Sequence, residues 1–240
     1  MGMGRSGSRQ SPTSSNVLDL NNLSQSEYIS RMQELQRAMG QTGMEAGDPD
    51  ATPRRKLYVN TSKSFNINAY LLSDGKTIHS DDSDWDSLGY TERMVKNDIV
   101  KIDSGMKPMS EAVQTYRYIS ANGLAKMLGL PMDETQVRSM IKALDQGDQS
   151  TIKNFAKALD TDYTHKGYSS LTVDTTHTTF DSRDVRLDIK LNKGTPAIVT
   201  SNHREHEILG GRGLKYNFTK KFRVITTRTG TKQLVIDITI

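Results

Sequence analysis

Apolar residues recur at helical spacing through much of the first two thirds of the chain. One such run covers 28–39, and the capping-box pair Ser24 and Glu27 stands just ahead of it. Asp133 and Gln136 form a second capped start. Apolar spacing or composition predicts helices at 28–39, 64–75, 85–103, 137–144 and 152–159.

From Gly167 onward the helical spacing gives way to alternation of apolar and polar residues. This alternation is regular in 185–191, and a Lys-Gly-Thr turn then leads to a further apolar run. Residues 222–224 and 234–240 are expected to form a hairpin, and an earlier strand is predicted at 114–120. The order predicts an α+β fold, with N-terminal helices followed by a mostly antiparallel β-sheet core.

Composition divides the chain into three parts. Residues 1–22 are rich in Ser, Gly and Asn, which predicts a flexible tail. Residues 23–56 combine the short helix with a linker, GQTGMEAGDPDATPRR, that has no apolar periodicity. Residues 57–240 are then long enough to form one domain with its own core.

Several classes of protein are excluded by composition. No apolar run could span a bilayer, and no hydrophobic segment follows the basic N-terminus, so neither a membrane span nor a signal peptide is predicted. The absence of cysteine excludes disulfides, thiolate nucleophiles and Cys-based zinc sites. The net charge of +4 comes from scattered basic residues without an aromatic-lined stripe, so nucleic-acid binding is not predicted.

Three other motifs do not support a metal or phosphate site. The stretch DDSDWDS at 81–87 has alternating aspartates, but Arg93 stands where a calcium loop needs its closing glutamate. His203 and His206 have no third ligand nearby in the sequence, so zinc is not predicted. The GGRG at 210–213 lacks both the Walker and the dinucleotide-binding patterns.

Three further motifs occur in a suggestive order. They are Arg117 in YRYIS, the polar cluster in GYSSLT at 167–172, and Glu205 with Glu207 in EHEILGGRGLKYNF. Taken alone, they are typical of a surface cation, a turn and a solvated strand face. Together with the segment 185–202 between the last two, they resemble the R-S-E class of mono-ADP-ribosyltransferases, which includes bacterial exoenzyme toxins. The resemblance covers about residues 57–240.

The resemblance implies that NAD is the substrate and that no metal is needed. Glu207 is then expected to hold the ribose 2′-hydroxyl and to stabilise an oxocarbenium-like transition state. Arg117 is expected to bind the phosphates of NAD through its planar, permanently charged guanidinium. Ser170 would position Glu207 and the nicotinamide ribose, and Tyr118, through its backbone, and Thr172 complete the expected NAD site.

Glu205 is the second catalytic residue that the resemblance implies. Alternation along an extended segment places its side chain on the same side as that of Glu207. In the family a glutamate at this position accompanies arginine as the acceptor, because a carboxylate can orient a guanidinium and take its proton. The expected partner is therefore a target protein with an acceptor arginine.

Two alternatives stay open at this point. The same fold could be an NAD glycohydrolase, with water as the acceptor, or a non-catalytic structural protein of a phage or secretion apparatus. Residues 1–40 could then dock onto a partner. The expected location is the cytoplasm of the producing cell, or a target cell that receives the chain as a secreted effector or virion-associated protein.

Overall fold

The computed structural model describes residues 17–41, 63–78, 90–176, 180, 182–200 and 207–240, and within these ranges it shows six helices and nine strands. The helices are α1 (Gln25–Ala38), α2 (Lys63–Leu72), α3 (Glu92–Gly105), α4 (Ala121–Leu128), α5 (Glu134–Asp145) and α6 (Gln149–Ala158). The strands are β1 (Lys107–Pro108), β2 (Val113–Ile119), β3 (Tyr163–His165), β4 (Ser169–Thr172), β5 (Val185–Leu191), β6 (Pro196–Val199), β7 (Glu207–Gly210), β8 (Leu214–Thr226) and β9 (Lys232–Thr239). The predicted α+β class is confirmed.

The nine strands form one continuous sheet in the order β1-β6-β7-β4-β2-β5-β9-β8-β3. Only β5 and β9 pair in parallel, and the other seven neighbouring pairs are antiparallel. Strands β7, β4 and β2 are consecutive neighbours in this order. The sheet therefore brings together the strands that carry the glutamate, serine and arginine motifs.

Side-chain caps fix the starts of the helices. Ser24 and Glu27 form a complete capping box at α1, and Asp133 and Gln136 form another at α5, as the sequence predicts. Asp148 accepts a hydrogen bond from the third residue of α6. Helix α4 was not predicted, because its eight residues give too short a run for a periodic pattern.

Two apolar cores cover the sheet. The larger packs α1, α4, α5 and α6 against the sheet and takes in every second residue of β5, whose inward side chains are at most 1% exposed. The smaller joins Ile67 of α2 and Ile102 of α3 to Leu209 of β7. Ile208 belongs to the larger core and Leu209 to the smaller, so both faces of β7 are covered. This burial fixes the register of the strand that begins with Glu207.

Residues 17–22 correct the predicted boundary of the flexible tail. The backbone of Leu18 accepts a hydrogen bond from Gln114 and donates one to Ala112, both at 2.8 Å. Leu20 is 1% exposed and lies in the larger core. The apolar side chains of α1 are buried in the same core, beside the sheet. The division into tail, linker and domain, and docking by residues 1–40, otherwise stay predictions.

None of the helices in the described ranges is long and apolar enough to cross a membrane.

Candidate active site

Strands β4 and β7 bring Ser170 and Glu207 into contact. The antiparallel register places Thr172 opposite Glu207, so that Ser170 lies diagonally across from it on the same face. The Ser170 Oγ donates a hydrogen bond of 2.5 Å to the Glu207 Oε1. The short distance is typical of a hydroxyl that donates to an ionised carboxylate. The contact between serine and glutamate that the resemblance implies is therefore present.

Glu207 is 3% exposed although it carries a carboxyl group. Burial of a carboxylate costs free energy unless hydrogen bonds compensate for the lost water. Ser170 supplies one such bond, while the two residues that follow Glu207 anchor the strand in the two apolar cores. The carboxyl group is thus held in a water-poor position by a rigid strand, where its electrostatic interactions are strengthened.

Thr172 shares the face of Ser170 and Glu207. It pairs in register with Glu207 on one side and with Tyr116 of β2 on the other. Its hydroxyl donates to the carbonyl of Asp174 at 3.1 Å and accepts from the amide of Asp174 at 3.3 Å. These bonds close a local turn after β4, and the predicted contact of Thr172 with NAD stays a prediction.

Arg117 contacts Ser169, the neighbour of Ser170 on β4. Its Nη1 donates to the Ser169 Oγ and to the Tyr216 hydroxyl, both at 3.0 Å, and lies 3.2 Å from the His165 Nε2. Alternation along β4 directs Ser169 and Ser170 to opposite faces of the strand. Ser169 therefore contacts Arg117 on one face of β4, and Ser170 contacts Glu207 on the other face.

Tyr118 lies on the opposite face of β2 from Arg117. It pairs in register with Arg186 of β5, whose guanidinium forms an ion pair with Asp188 at 2.6 Å and lies 5.5 Å from the ring centre of Tyr116. The side chains of Tyr118 and Arg117 therefore lie on opposite faces of the sheet. The predicted contribution of Tyr118 through its backbone stays a prediction.

His165 is another side chain in contact with Arg117. It is 5% exposed, and its Nδ1 lies 3.0 Å from the Tyr163 hydroxyl. Burial, together with the positive charge of Arg117, lowers the pKa of His165 to about 3. The imidazole is therefore neutral at physiological pH, and it adds no second positive charge beside Arg117.

A family model described as "ADP-ribosyltransferase exoenzyme" matches residues 50–240. The chain belongs to the ADP-ribosyltransferase exoenzyme family. The matched range contains Arg117, Ser170 and Glu207, and the match confirms the resemblance to this family. No curated protein sequence matches the chain.

Solved structures of bacterial toxins share the fold of this family member. Plx2a, an ADP-ribosyltransferase toxin from Paenibacillus larvae, is 19% identical, with a TM-score of 0.63 over 93% of this chain and 98% of that chain. C3stau2 from S. aureus, solved with NAD, is 17% identical, with a TM-score of 0.61 over 93% and 97%. BECa of a C. perfringens binary enterotoxin, solved with NADH, is 20% identical, with a TM-score of 0.63 over 88% of this chain and 48% of BECa. Identities this low show the fold alone.

Several sequence motifs lie outside the described residues. They include Glu205, His203 and His206 in the segment before β7, and the acidic stretch 81–87. The predicted position of Glu205 beside Glu207 therefore stays a prediction. Among the residues that the structure does describe, no group of three or more His, Asp or Glu side chains could hold a metal ion.

Three residues around Arg117 were not assigned a role from the sequence. Ser169 belongs to the polar cluster at 167–172, but the prediction that a serine positions Glu207 and the ribose concerned Ser170. Tyr216 and His165 gave no signal, because they are 99 and 48 residues from Arg117 and meet it only in the folded sheet. The alternation in β8 could have shown that Tyr216 faces inward with Leu214, but not what it contacts.

The lowered pKa of His165 predicts a pH-dependent stability. In the unfolded state His165 has a pKa near 6.5 and binds a proton below that pH, whereas in the folded state its lowered pKa keeps it neutral down to about pH 3. The free energy of unfolding is therefore expected to fall as the pH drops from 6.5 towards 3, with this residue contributing up to about 1.4 kcal/mol per pH unit. Chemical unfolding at pH 7, 6 and 5, compared between wild type and His165→Gln, measures this contribution. Equal slopes in the two proteins would contradict it.

Proposed function

We propose that the chain is a mono-ADP-ribosyltransferase that transfers ADP-ribose from NAD to an arginine of a target protein and releases nicotinamide. The observation that carries this proposal is the buried carboxyl group of Glu207, which accepts a hydrogen bond from the Ser170 hydroxyl. Ser170 lies on β4, and β4 is the neighbour of β2, which carries Arg117. Family membership and the structure of C3stau2 solved with NAD support the same substrate.

Glu207 has the environment that the bond-breaking step needs. When the bond between nicotinamide and C1′ of the ribose breaks, its electron pair leaves with nicotinamide and positive charge develops on the ribose. A carboxylate that is already oriented in a water-poor site stabilises this charge without reorganisation. The hydrogen bond from Ser170 orients one oxygen of the carboxyl group. We infer that Glu207 stabilises the transition state and that Ser170 positions it.

Arg117 is suited to binding the diphosphate of NAD. Its guanidinium stays protonated at every accessible pH and offers donors in a planar fork that matches two phosphate oxygens. It is half-buried on β2, which pairs with the strand of Ser170. Arg117 contacts β4 on the side of Ser169, and Glu207 contacts it on the side of Ser170. We infer that one extended NAD molecule reaches both residues, with its diphosphate at Arg117 and its ribose at Glu207.

Glu205 is proposed to act on the acceptor. The guanidinium of the target arginine would donate to this carboxylate, one nitrogen would attack C1′, and the proton lost from that nitrogen would pass to Glu205. The new bond joins the arginine nitrogen to C1′ of the ribose. With water in place of arginine, the same site would act as an NAD glycohydrolase, so the balance between the two reactions reports on Glu205.

Glu205→Gln is expected to separate the two reactions. Transfer of labelled ADP-ribose to a simple guanidino compound should fall roughly a hundredfold, because general-base assistance to the guanidinium is lost. Release of nicotinamide without an acceptor should fall much less, since Glu207 is intact. Both rates are measured with labelled NAD, and Glu34→Gln, an exposed substitution on α1, should leave both unchanged. An equal loss in the two reactions would refute the role of Glu205.

The place of action is also a proposal. Plx2a and BECa are described as ADP-ribosylating toxins. We propose that the chain modifies a protein of a target cell, either as a secreted effector or as part of a virion. Intact mass spectrometry of candidate host proteins after exposure to the chain and NAD would identify the acceptor.

A further inference from the structure

The guanidinium of Arg117 is held at one nitrogen by side chains from three other strands. Ser169 belongs to β4, Tyr216 to β8 and His165 to β3, and all three lie within 3.2 Å of the Arg117 Nη1. We propose that Tyr216 and Ser169 are positioning residues that orient Arg117 for the diphosphate of NAD. This inference rests on the proposed function, in which Arg117 binds that diphosphate.

The Arg117 Nη1 has fewer hydrogens than neighbouring acceptors, so the three contacts cannot all be full hydrogen bonds. This nitrogen carries two hydrogens, so it can make two full hydrogen bonds and share a third. The two hydroxyls accept at 3.0 Å, and His165 lies farther away at 3.2 Å. His165 Nε2 also lies 3.3 Å from the carbonyl of Tyr168, which competes for it. Of these three contacts to Nη1, the hydroxyls of Ser169 and Tyr216 are therefore the stronger two.

The two hydroxyls also bind each other. The Ser169 Oγ and the Tyr216 hydroxyl are 2.7 Å apart, so that one donates to the other while both accept from Arg117. The result is a closed triangle of hydrogen bonds in which moving any one group breaks two bonds. Such connected networks specify a single geometry better than separate pairs do.

Packing makes the triangle rigid. Ser169 is 0% exposed and Tyr216 is 1% exposed, and the Tyr216 ring packs edge-on against Tyr163 with ring centres 5.5 Å apart. An arginine side chain otherwise loses much rotamer freedom when it binds a ligand. Because the protein has already fixed Arg117, this cost is met on folding and does not reduce the affinity for NAD.

Both positioning groups are neutral, and this matters for an anionic ligand. Hydroxyls orient the guanidinium without adding negative charge beside the expected position of the diphosphate. His165, neutral because of its burial, likewise adds no charge. These three contacts thus direct Arg117 without themselves placing a negative charge beside it.

Tyr216→Phe tests the inference, because it removes the hydroxyl and keeps the ring packing. The dissociation constant for NAD is expected to rise roughly tenfold, while kcat for nicotinamide release stays within about twofold because Glu207 is untouched. The matched control is Tyr90→Phe, which removes a buried hydroxyl that donates to Asp98 in the smaller core. It should change neither quantity. Ser169→Ala, measured in parallel, should raise the dissociation constant in the same way.

A double-mutant cycle with Arg117→Ala shows whether Tyr216 acts through the arginine. In the Arg117→Ala background, Tyr216→Phe is expected to have no further effect on the dissociation constant for NAD. The inference is overturned if Arg117→Ala weakens NAD binding but Tyr216→Phe and Ser169→Ala do not, or if their effects persist without the arginine. If Arg117→Ala itself leaves NAD binding unchanged, the proposed role of Arg117 fails instead.

Discussion

Glu207→Gln is expected to lower both NAD hydrolysis and ADP-ribose transfer roughly 100- to 1,000-fold. The substitution preserves the size of the side chain and an oxygen that can accept the hydrogen bond from Ser170. It removes the negative charge, and with it the stabilisation of positive charge on the ribose in a water-poor site. Release of labelled nicotinamide, with and without a guanidino acceptor, measures both rates.

Two accompanying measurements make the result for Glu207 specific. The dissociation constant for NAD should change only a few-fold in Glu207→Gln, because the lost interaction belongs mainly to the transition state. Ser170→Ala should reduce both rates less than Glu207→Gln does, since it removes the orienting hydrogen bond and leaves the carboxylate. Wild-type rates in Glu207→Gln would rule out Glu207 as the catalytic carboxylate.

Arg117→Ala is expected to weaken NAD binding roughly a hundredfold. A loss of this size corresponds to two hydrogen bonds to charged oxygens, at about 1.5 kcal/mol each. Arg117→Lys should recover only part of this affinity, because an ammonium group is a point charge that cannot bind two phosphate oxygens in one plane. Calorimetric titration with NAD provides the dissociation constants.

Arg212→Ala is the matched control for Arg117. Arg212 forms an ion pair of 2.8 Å with Asp103 and follows β7 at the end away from Glu207. Its removal lowers the net charge by the same amount and should leave NAD affinity unchanged. A similar loss in both variants would show a general effect of charge, and it would contradict specific recognition by Arg117.

Local sequence signals predicted most of the elements correctly. The capping boxes at Ser24 and Asp133 fix helix starts, and alternation fixes which side chains of β5 are buried. The predicted hairpin is confirmed by the pairing of Val224 with Leu234. These features depend on residues close together in the chain, and so the sequence contains the information directly.

Features that depend on distant residues could not be predicted. The parallel pairing of β5 with β9 and the anchoring of Leu18 at Ala112 depend on the folded sheet, because alternation identifies a buried face but not the neighbouring strand. The same limit applies to the site. The contact of Ser170 with Glu207 was expected only from the resemblance, and the partners of Arg117 emerged only from the structure.

Modification of a peptide that carries a single arginine tests the proposed function most directly. The peptide is incubated with the wild-type chain and NAD beside an otherwise identical peptide with lysine, and both are measured by intact mass spectrometry. We expect the arginine peptide alone to gain the mass of one ADP-ribose, together with release of nicotinamide. Nicotinamide release with neither peptide modified would indicate a glycohydrolase and contradict transfer to arginine, and absence of both would contradict catalysis with NAD.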